Sequence, residues 1–286
     1  MQPRSFYRLA AVVPLALVLA AAACSSSSTN GASEGSDAGL SSDETNAVSA
    51  SGSSETTNQQ VASLANNLFD FDPTIDPTAT PSANATAIAA NTQTNLGSSC
   101  GKVSVSGASV TVAFGAPPGC TLADGSVISG TVTLAVSKAS STTTIALTLG
   151  SVVVNGEAIS GTASFATTNG STFAVTTNLT SGTKTDVGSL TVTGASGSYT
   201  LSGTSTATEG DVTTKLSFND LTVTAGECYA SAGTIGVTTA GVSETITFDA
   251  ETPSTGQVAV TVGKRTSTTT LPVYGSCPSS TGSSKK

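Results

Sequence analysis

From Cys100 onward the apolar residues recur at every second position, and that period constrains the fold more than any other feature of the chain. Val110, Val112 and Phe114 alternate with small or polar residues, as do Ile128, Val132, Leu134 and Val136, then Ile145, Leu147 and Leu149. The spacing returns at Phe173, Val175 and Leu179 and at Val258, Val260 and Val262. Successive side chains of a strand point to opposite faces, so each segment offers one apolar face to a core and one Ser/Thr face to water. Asn155-Gly156, Asn169-Gly170 and Glu209-Gly210-Asp211 are turn signals between segments. The expected fold is all-β over residues 100–277: an antiparallel meander of about a dozen strands forming a curled sheet, a sandwich or an open barrel.

Two stretches of this domain run parallel. One holds Ser129-Gly130-Thr131, then Leu147, Leu149, Val152 and Val154, then Ser160-Gly161-Thr162; the other holds Ser202-Gly203-Thr204, then Leu216, Phe218, Leu221 and Val223, then Ala232-Gly233-Thr234. Their glycines are 31 residues apart in the first and 30 in the second. In both, the alternation slips by one, between Leu149 and Val152 and between Phe218 and Leu221. A slip of one would turn every later side chain to the wrong face, so an extra residue must be absorbed there. The expected devices are β-bulges at Gly150-Ser151 and Asn219-Asp220, and the shared slip points to a tandem duplication. Glycine recurring in mid-strand suggests a bend or a close backbone approach in each half.

The N-terminus sets the compartment. Arg4 and Arg8 precede an apolar run of 15 residues, Leu9–Ala23, the layout of a bacterial signal peptide over residues 1–23. The run is too short to cross a hydrocarbon core of about 30 Å as a helix. It ends Ala21-Ala22-Ala23-Cys24 before a row of serines, which resembles the lipobox of bacterial lipoproteins, although Ala21 stands where that motif usually has Leu. The resemblance implies that Cys24 becomes the first mature residue and carries lipid. The alternative is cleavage after Ala23 with Cys24 unmodified. By the same analogy, Ser25 directly after Cys24 implies the outer membrane or cell surface in a Gram-negative cell.

Cys24, Cys100, Cys120, Cys228 and Cys277 are five cysteines, an odd number for an exported chain. With Cys24 lipidated the other four can form two bridges in an oxidising compartment. Three pairings exist, and proximity in sequence favours Cys100–Cys120 and Cys228–Cys277.

Residues 24–56 hold the lipidated cysteine and a flexible Ser-rich acidic tether with too few large apolar groups to fold. As a coil, its 30 residues from Ser25 to Ser54 span roughly 30 Å. Residues 57–99 follow as short helix and linker: Val61, Leu64, Ala65, Leu68 and Phe69 mark one helical face, and 81–96 is a candidate second, Ala-rich helix. Asp70 to Asp76 looks like a calcium loop but lacks its glycine and glutamate and is broken by Pro73 and Pro77, so no metal is expected. Residues 278–286 are read as a disordered tail. The net charge of −8 belongs to the tether: residues 25–99 carry eight acids and no base. It describes a self-repelling stalk rather than a ligand site.

The series Phe114-Gly115, Gly119-Cys120-Thr121, Asp124-Gly125, Ser129-Gly130-Thr131 and Val154-Asn155-Gly156 is similar to that of uncharacterised bacterial β-rich lipoproteins. The similarity covers most of residues 100–277, and its motifs are turns and strands. It implies an architecture and a lipid anchor and no activity.

The chain has no His and no Trp. Without histidine there is no Ser-His-Asp or Cys-His machinery and no His-ligated metal. The excess of acid disfavours nucleic acid as a partner. The available acids, Asp220, Glu227, Glu244, Asp249 and Glu251, sit by turns or at polar strand positions, where a solvated surface charge is expected; Asp249 and Glu251 share a strand face only if the strand runs that far. A glycosidase would need two such groups facing each other about 5–10 Å apart. Tyr199 is in phase with Leu201 and reads as core, while Tyr229 and Tyr274 neighbour bridge cysteines, so no aromatic sugar platform is expected. Thr142-Thr143-Thr144 and Thr268-Thr269-Thr270 lack the regular spacing of an ice-binding surface. The expectation is a non-catalytic, cofactor-free structural or interaction β domain, lipid-anchored to the envelope membrane and meeting an envelope protein, glycan or lipid. The alternatives are a carrier or chaperone holding an apolar ligand within the curled sheet, or a carboxylate-dependent glycan-acting enzyme.

Overall fold

The computed structural model describes residues 75–96, 100–122, 127–195, 198–224, 227 and 229–270. Cys24, the Val61–Phe69 stripe, Asp124-Gly125, Tyr274 and the Cys228–Cys277 pair lie outside the described residues. One antiparallel sheet of thirteen strands runs in sequence order from β1 to β13. The strands are β1 (Lys102–Ser106), β2 (Ser109–Thr121), β3 (Val127–Ala139), β4 (Thr142–Val154), β5 (Glu157–Thr167), β6 (Thr172–Ser181) and β7 (Lys184–Ala195). They continue with β8 (Ser198–Glu209), β9 (Val212–Thr224), β10 (Ala232–Thr239), β11 (Val242–Phe248), β12 (Gln257–Val262) and β13 (Arg265–Thr270). All of the described strands belong to this single ladder, the expected antiparallel meander, and the sheet is not closed.

The tight turns explain the meander. Asn155-Gly156 and Ala240-Gly241 carry positive φ at both central residues, the I′ geometry whose twist matches the flanking strands. Gly182 and Gly210 carry it at the first central position only, as a II′ turn requires. Asn169-Gly170 sits in a longer turn, where the Asn169 Oδ1 accepts the backbone N–H groups of Ser171 at 3.0 Å and Thr172 at 2.8 Å.

Both expected bulges are present. The β4–β5 register jumps between Leu149 and Val152, leaving Gly150-Ser151 unpaired with β5, and Ser151 takes φ 54°. In β8–β9 the pairing moves from Leu201↔Leu221 to Gly203↔Phe218, passing over Asn219-Asp220, and Asp220 takes φ 49°. The slip lets Leu147, Leu149, Val152 and Val154 all point inward. Close backbone approach is the reason for the mid-strand glycines. A Cβ on Gly130 would overlap the Ser151 carbonyl, and one on Gly161 the Asn178 carbonyl, each on the following strand. Gly203 and Gly233 meet Ser189 and Asp220 instead, on the preceding strand.

Helix α1 (Pro81–Leu96) occupies the candidate second-helix segment. Pro81 follows Thr80, whose Oγ1 accepts the Ala83 N–H at 3.2 Å, a side-chain cap on the first turn. Ala85, Ile88, Ala89, Thr92 and Leu96 are buried and the helix packs on β1–β3. Its Asn84 holds the entering segment, accepting the Asp76 N–H at 3.0 Å and donating to the Asp76 carbonyl at 2.9 Å. The Cys100–Cys120 disulfide ties the chain after α1 to β2. A second helix, α2 (Thr252–Thr255), is a single turn between β11 and β12.

One hydrophobic core includes residues of α1 and of most strands up to β12. A helix is about 10 Å wide and strands lie about 4.8 Å apart, so α1 can cover only two or three strands. Yet Leu201, Ile235 and Ile246, far along the sheet, have 0 % exposure. The sheet must therefore curl so that its own inner-face side chains cover one another.

Candidate functional site

The outer face of the curl is an extended hydroxyl-bearing surface. Register places Thr111, Thr133, Thr148 and Thr162 opposite one another across β2–β5, and Ser164, Thr176, Ser189, Thr204 and Ser217 across β5–β9. Thr245, Thr261 and Thr266 form a similar line across β11–β13. Several hydroxyls pair across strands, Thr238 with Ser243 and Thr261 with Thr266, each at 2.9 Å. Within β4–β13 the charged outward residues are Lys215 and the bulge residue Asp220, whose carboxylate accepts the Ser202 hydroxyl at 2.9 Å. Chemically this surface is neutral and rich in groups that both donate and accept, suited to backbone amides or saccharide hydroxyls and without the charge to steer a polyanion.

The inner face holds the ionisable groups that matter. Asp186 on β7 is buried, and its Oδ2 accepts the Ser205 hydroxyl of β8 at 2.7 Å. Gly188 leaves room beside this pair, because a Cβ there would meet the Thr177 Oγ1 at 2.6 Å. Lys184 and Glu209 form an ion pair at 3.9 Å at the rim, and the Ser181 hydroxyl donates to Glu157. Thr239 donates to Thr214 at 2.9 Å in a buried pair linking β10 to β9. Burial pushes the Glu244 carboxyl above its ordinary range.

The expected acids are scattered. Glu244 corrects the surface-charge expectation: in phase with Ile246 and Phe248, it lies on the inner face and is buried. Asp220 lies on the outer face, and Glu227 is exposed in the loop after β9. Asp249 and Glu251 do not share a strand face, because β11 ends at Phe248. Asp249 instead accepts the N–H groups of Glu251 at 2.9 Å and Thr252 at 3.1 Å, fixing the entry to α2. Asp186 was not among the expected acids, although its spacing of four from Leu190 marks the inner face.

Tyr199 is buried, in line with its phase. Tyr229 packs its ring about 3.1 Å from where a Gly256 Cβ would stand, and burial raises its phenol. Within the calcium-like stretch, Asp76 accepts the Thr78 hydroxyl at 2.6 Å and its N–H at 2.7 Å, which holds its carboxyl below the ordinary range. Among the described residues no three metal-ligating side chains are gathered, and no helix is long and apolar enough to cross a membrane. No protein-family model matches the chain, and neither the curated proteins nor the solved structures contain a significant match to it.

Proposed function

We propose that this chain is a lipid-anchored envelope protein whose β domain is a non-catalytic structural or interaction module. The observation that carries this reading is the contrast between the two faces. The inner face is closed by its own side chains, with Val110, Val132, Leu134, Leu147, Leu201, Ile235 and Ile246 at 0 % exposure. A carrier would instead need an apolar cavity there. The outer face offers neutral hydroxyls over many strands, which favours a neutral polar partner, an envelope protein or glycan, over a polyanion.

The anchor is tested by radioactive palmitate labelling of the native chain and of Cys24→Ala. Label on the native protein alone supports the reading; an unlabelled native protein refutes lipidation. Native mass spectrometry after mild extraction tests the carrier alternative, because a co-purifying lipid would favour it. Turnover of a glycoside, ester or peptide by the purified protein would overturn the non-catalytic reading.

A further inference from the structure

The sheet ends in β13, which pairs with β12 alone among the described residues. The Gly263-Lys264 turn between them carries positive φ at Gly263 only, the II′ form of a two-residue hairpin. Such a turn closes on a hydrogen-bonded pair, here Val262↔Arg265, and hydrogen-bonded pairs then alternate along the ladder as Val260↔Ser267 and Val258↔Thr269. The N–H and C=O groups of Thr266, Thr268 and Thr270 therefore point away from β12, to the open edge of the sheet.

Natural sheet edges are commonly blocked by proline, a bulge or a charge in mid-strand. β13 holds no Pro, its register with β12 is unbroken, and its one charge, Arg265, stands at the turn end. Thr266, Thr268 and Thr270 are exposed, and threonine favours strands. At the opposite edge, the Gly107-Ala108 turn closes on Ser106↔Ser109, so only Val103 and Val105 of β1 face outward, and α1 packs on that strand.

We propose that β13 is a self-pairing edge through which two copies of this chain join antiparallel, with Thr268 on the two-fold axis. Thr268 meets its own counterpart and Thr266 meets Thr270 of the other copy, each pair exchanging both N–H···O bonds. Hydroxyl side chains then face hydroxyl side chains, a contact that Thr261 and Thr266 already make at 2.9 Å across β12–β13. The two copies of Arg265 fall at opposite ends of the pairing, so no like charges meet. An isologous contact of this kind closes at two copies, whereas β13 on β1 of another copy would go on adding chains. The 6 residues of β13 bury less than the roughly 800 Å² per partner of a standard interface, so the dimer is weak and reversible. It depends on β13, and neither on the anchor nor on the non-catalytic reading.

The test is sedimentation velocity over a range of concentrations, on the full chain carrying Cys24→Ala to keep lipid out of the measurement. A monomer–dimer equilibrium with no larger species is expected. Thr268→Pro removes an outward N–H at the axis and is expected to weaken dimerisation roughly tenfold or more while leaving the Tm little changed. Ser267→Pro, which removes an N–H bonded to β12, is expected to lower the Tm instead. Under mild oxidation Thr268→Cys is expected to give a dimer linked through the substituted peptide, and Thr245→Cys, on the outer face of β11, to stay monomeric. A native protein that remains monomeric at every concentration overturns the proposal, whether the edge stands open or is taken by residues 271–286 of the same chain. So do assemblies that grow beyond two copies, unchanged dimerisation in Thr268→Pro, and cross-linking of Thr245→Cys as readily as of Thr268→Cys.

Discussion

Replacing Gly130 by Ala tests whether the bulge at Gly150-Ser151 and the glycine facing it are one device. Gly130 has φ 98°, a conformation that costs a residue with a Cβ on the order of 1–3 kcal/mol. The added methyl would also stand 3.0 Å from the Val152 Cα and overlap the Ser151 carbonyl, both backbone atoms that no rotamer change can clear. With displacement of the bulge included, the expected loss is about 3–4 kcal/mol. For a domain of this size that corresponds to a fall in Tm of roughly 10 °C. Gly150→Ala is the control, since Gly150 has no positive φ and the nearest atom to its added Cβ, the Thr131 carbonyl oxygen, is 3.8 Å away. It is expected to change stability by less than about 1 kcal/mol. Urea unfolding and thermal circular dichroism, both in a Cys24→Ala background without lipid, measure the pair. Equal stability of the two variants would refute the reasoning, because the two glycines differ chiefly in φ and in what their Cβ would meet.

Removing the Cys100–Cys120 bridge by Cys100→Ala with Cys120→Ala opens a cross-link of sequence separation 20, and about 3 kcal/mol should be lost in denaturant titrations. Ser205→Ala takes the 2.7 Å donor from buried Asp186, and the unfolding free energy should drop by about 1–3 kcal/mol, with Thr206→Ala on the outer face close to neutral. The carboxyl of Glu244 is raised in the folded protein, so its stabilising share is complete below the ordinary Glu value near 4.5 and is lost as pH rises through the folded value. Unfolding curves from pH 4 to 8 should therefore show Glu244→Gln gaining on the native protein, by at most about 1.4 kcal/mol per pH unit. A constant difference across that range would contradict the sign.

Much of the fold is legible in the chain because strand alternation is local. Val110, Val112 and Phe114 announce an inward face without reference to any other residue. The bulges are legible for the same reason, since Leu149 and Val152 can both point inward only if an extra residue is absorbed between them. The Ala-rich composition of 81–96 likewise points to α1. Glu244 is less legible: a lone acid beside a strand reads as solvated, and only its phase with Ile246 and Phe248 points inward. Asp186 is not legible because Gly188 interrupts the apolar series that would mark its side.

Taken alone, the sequence determined the all-β class, the strand phases and both bulges, because these follow from the period of two and from turn chemistry within a few residues. The remaining features were decided by the tertiary structure. Alternation says that a face is buried but not what buries it, so a sandwich, a barrel and a curled sheet share one pattern. The curl arises because inner faces lying far apart in sequence cover each other. That covering gives Asp186 its buried serine partner and leaves Glu244 among valines, and it turns the Ser/Thr positions of successive strands into one continuous outer surface.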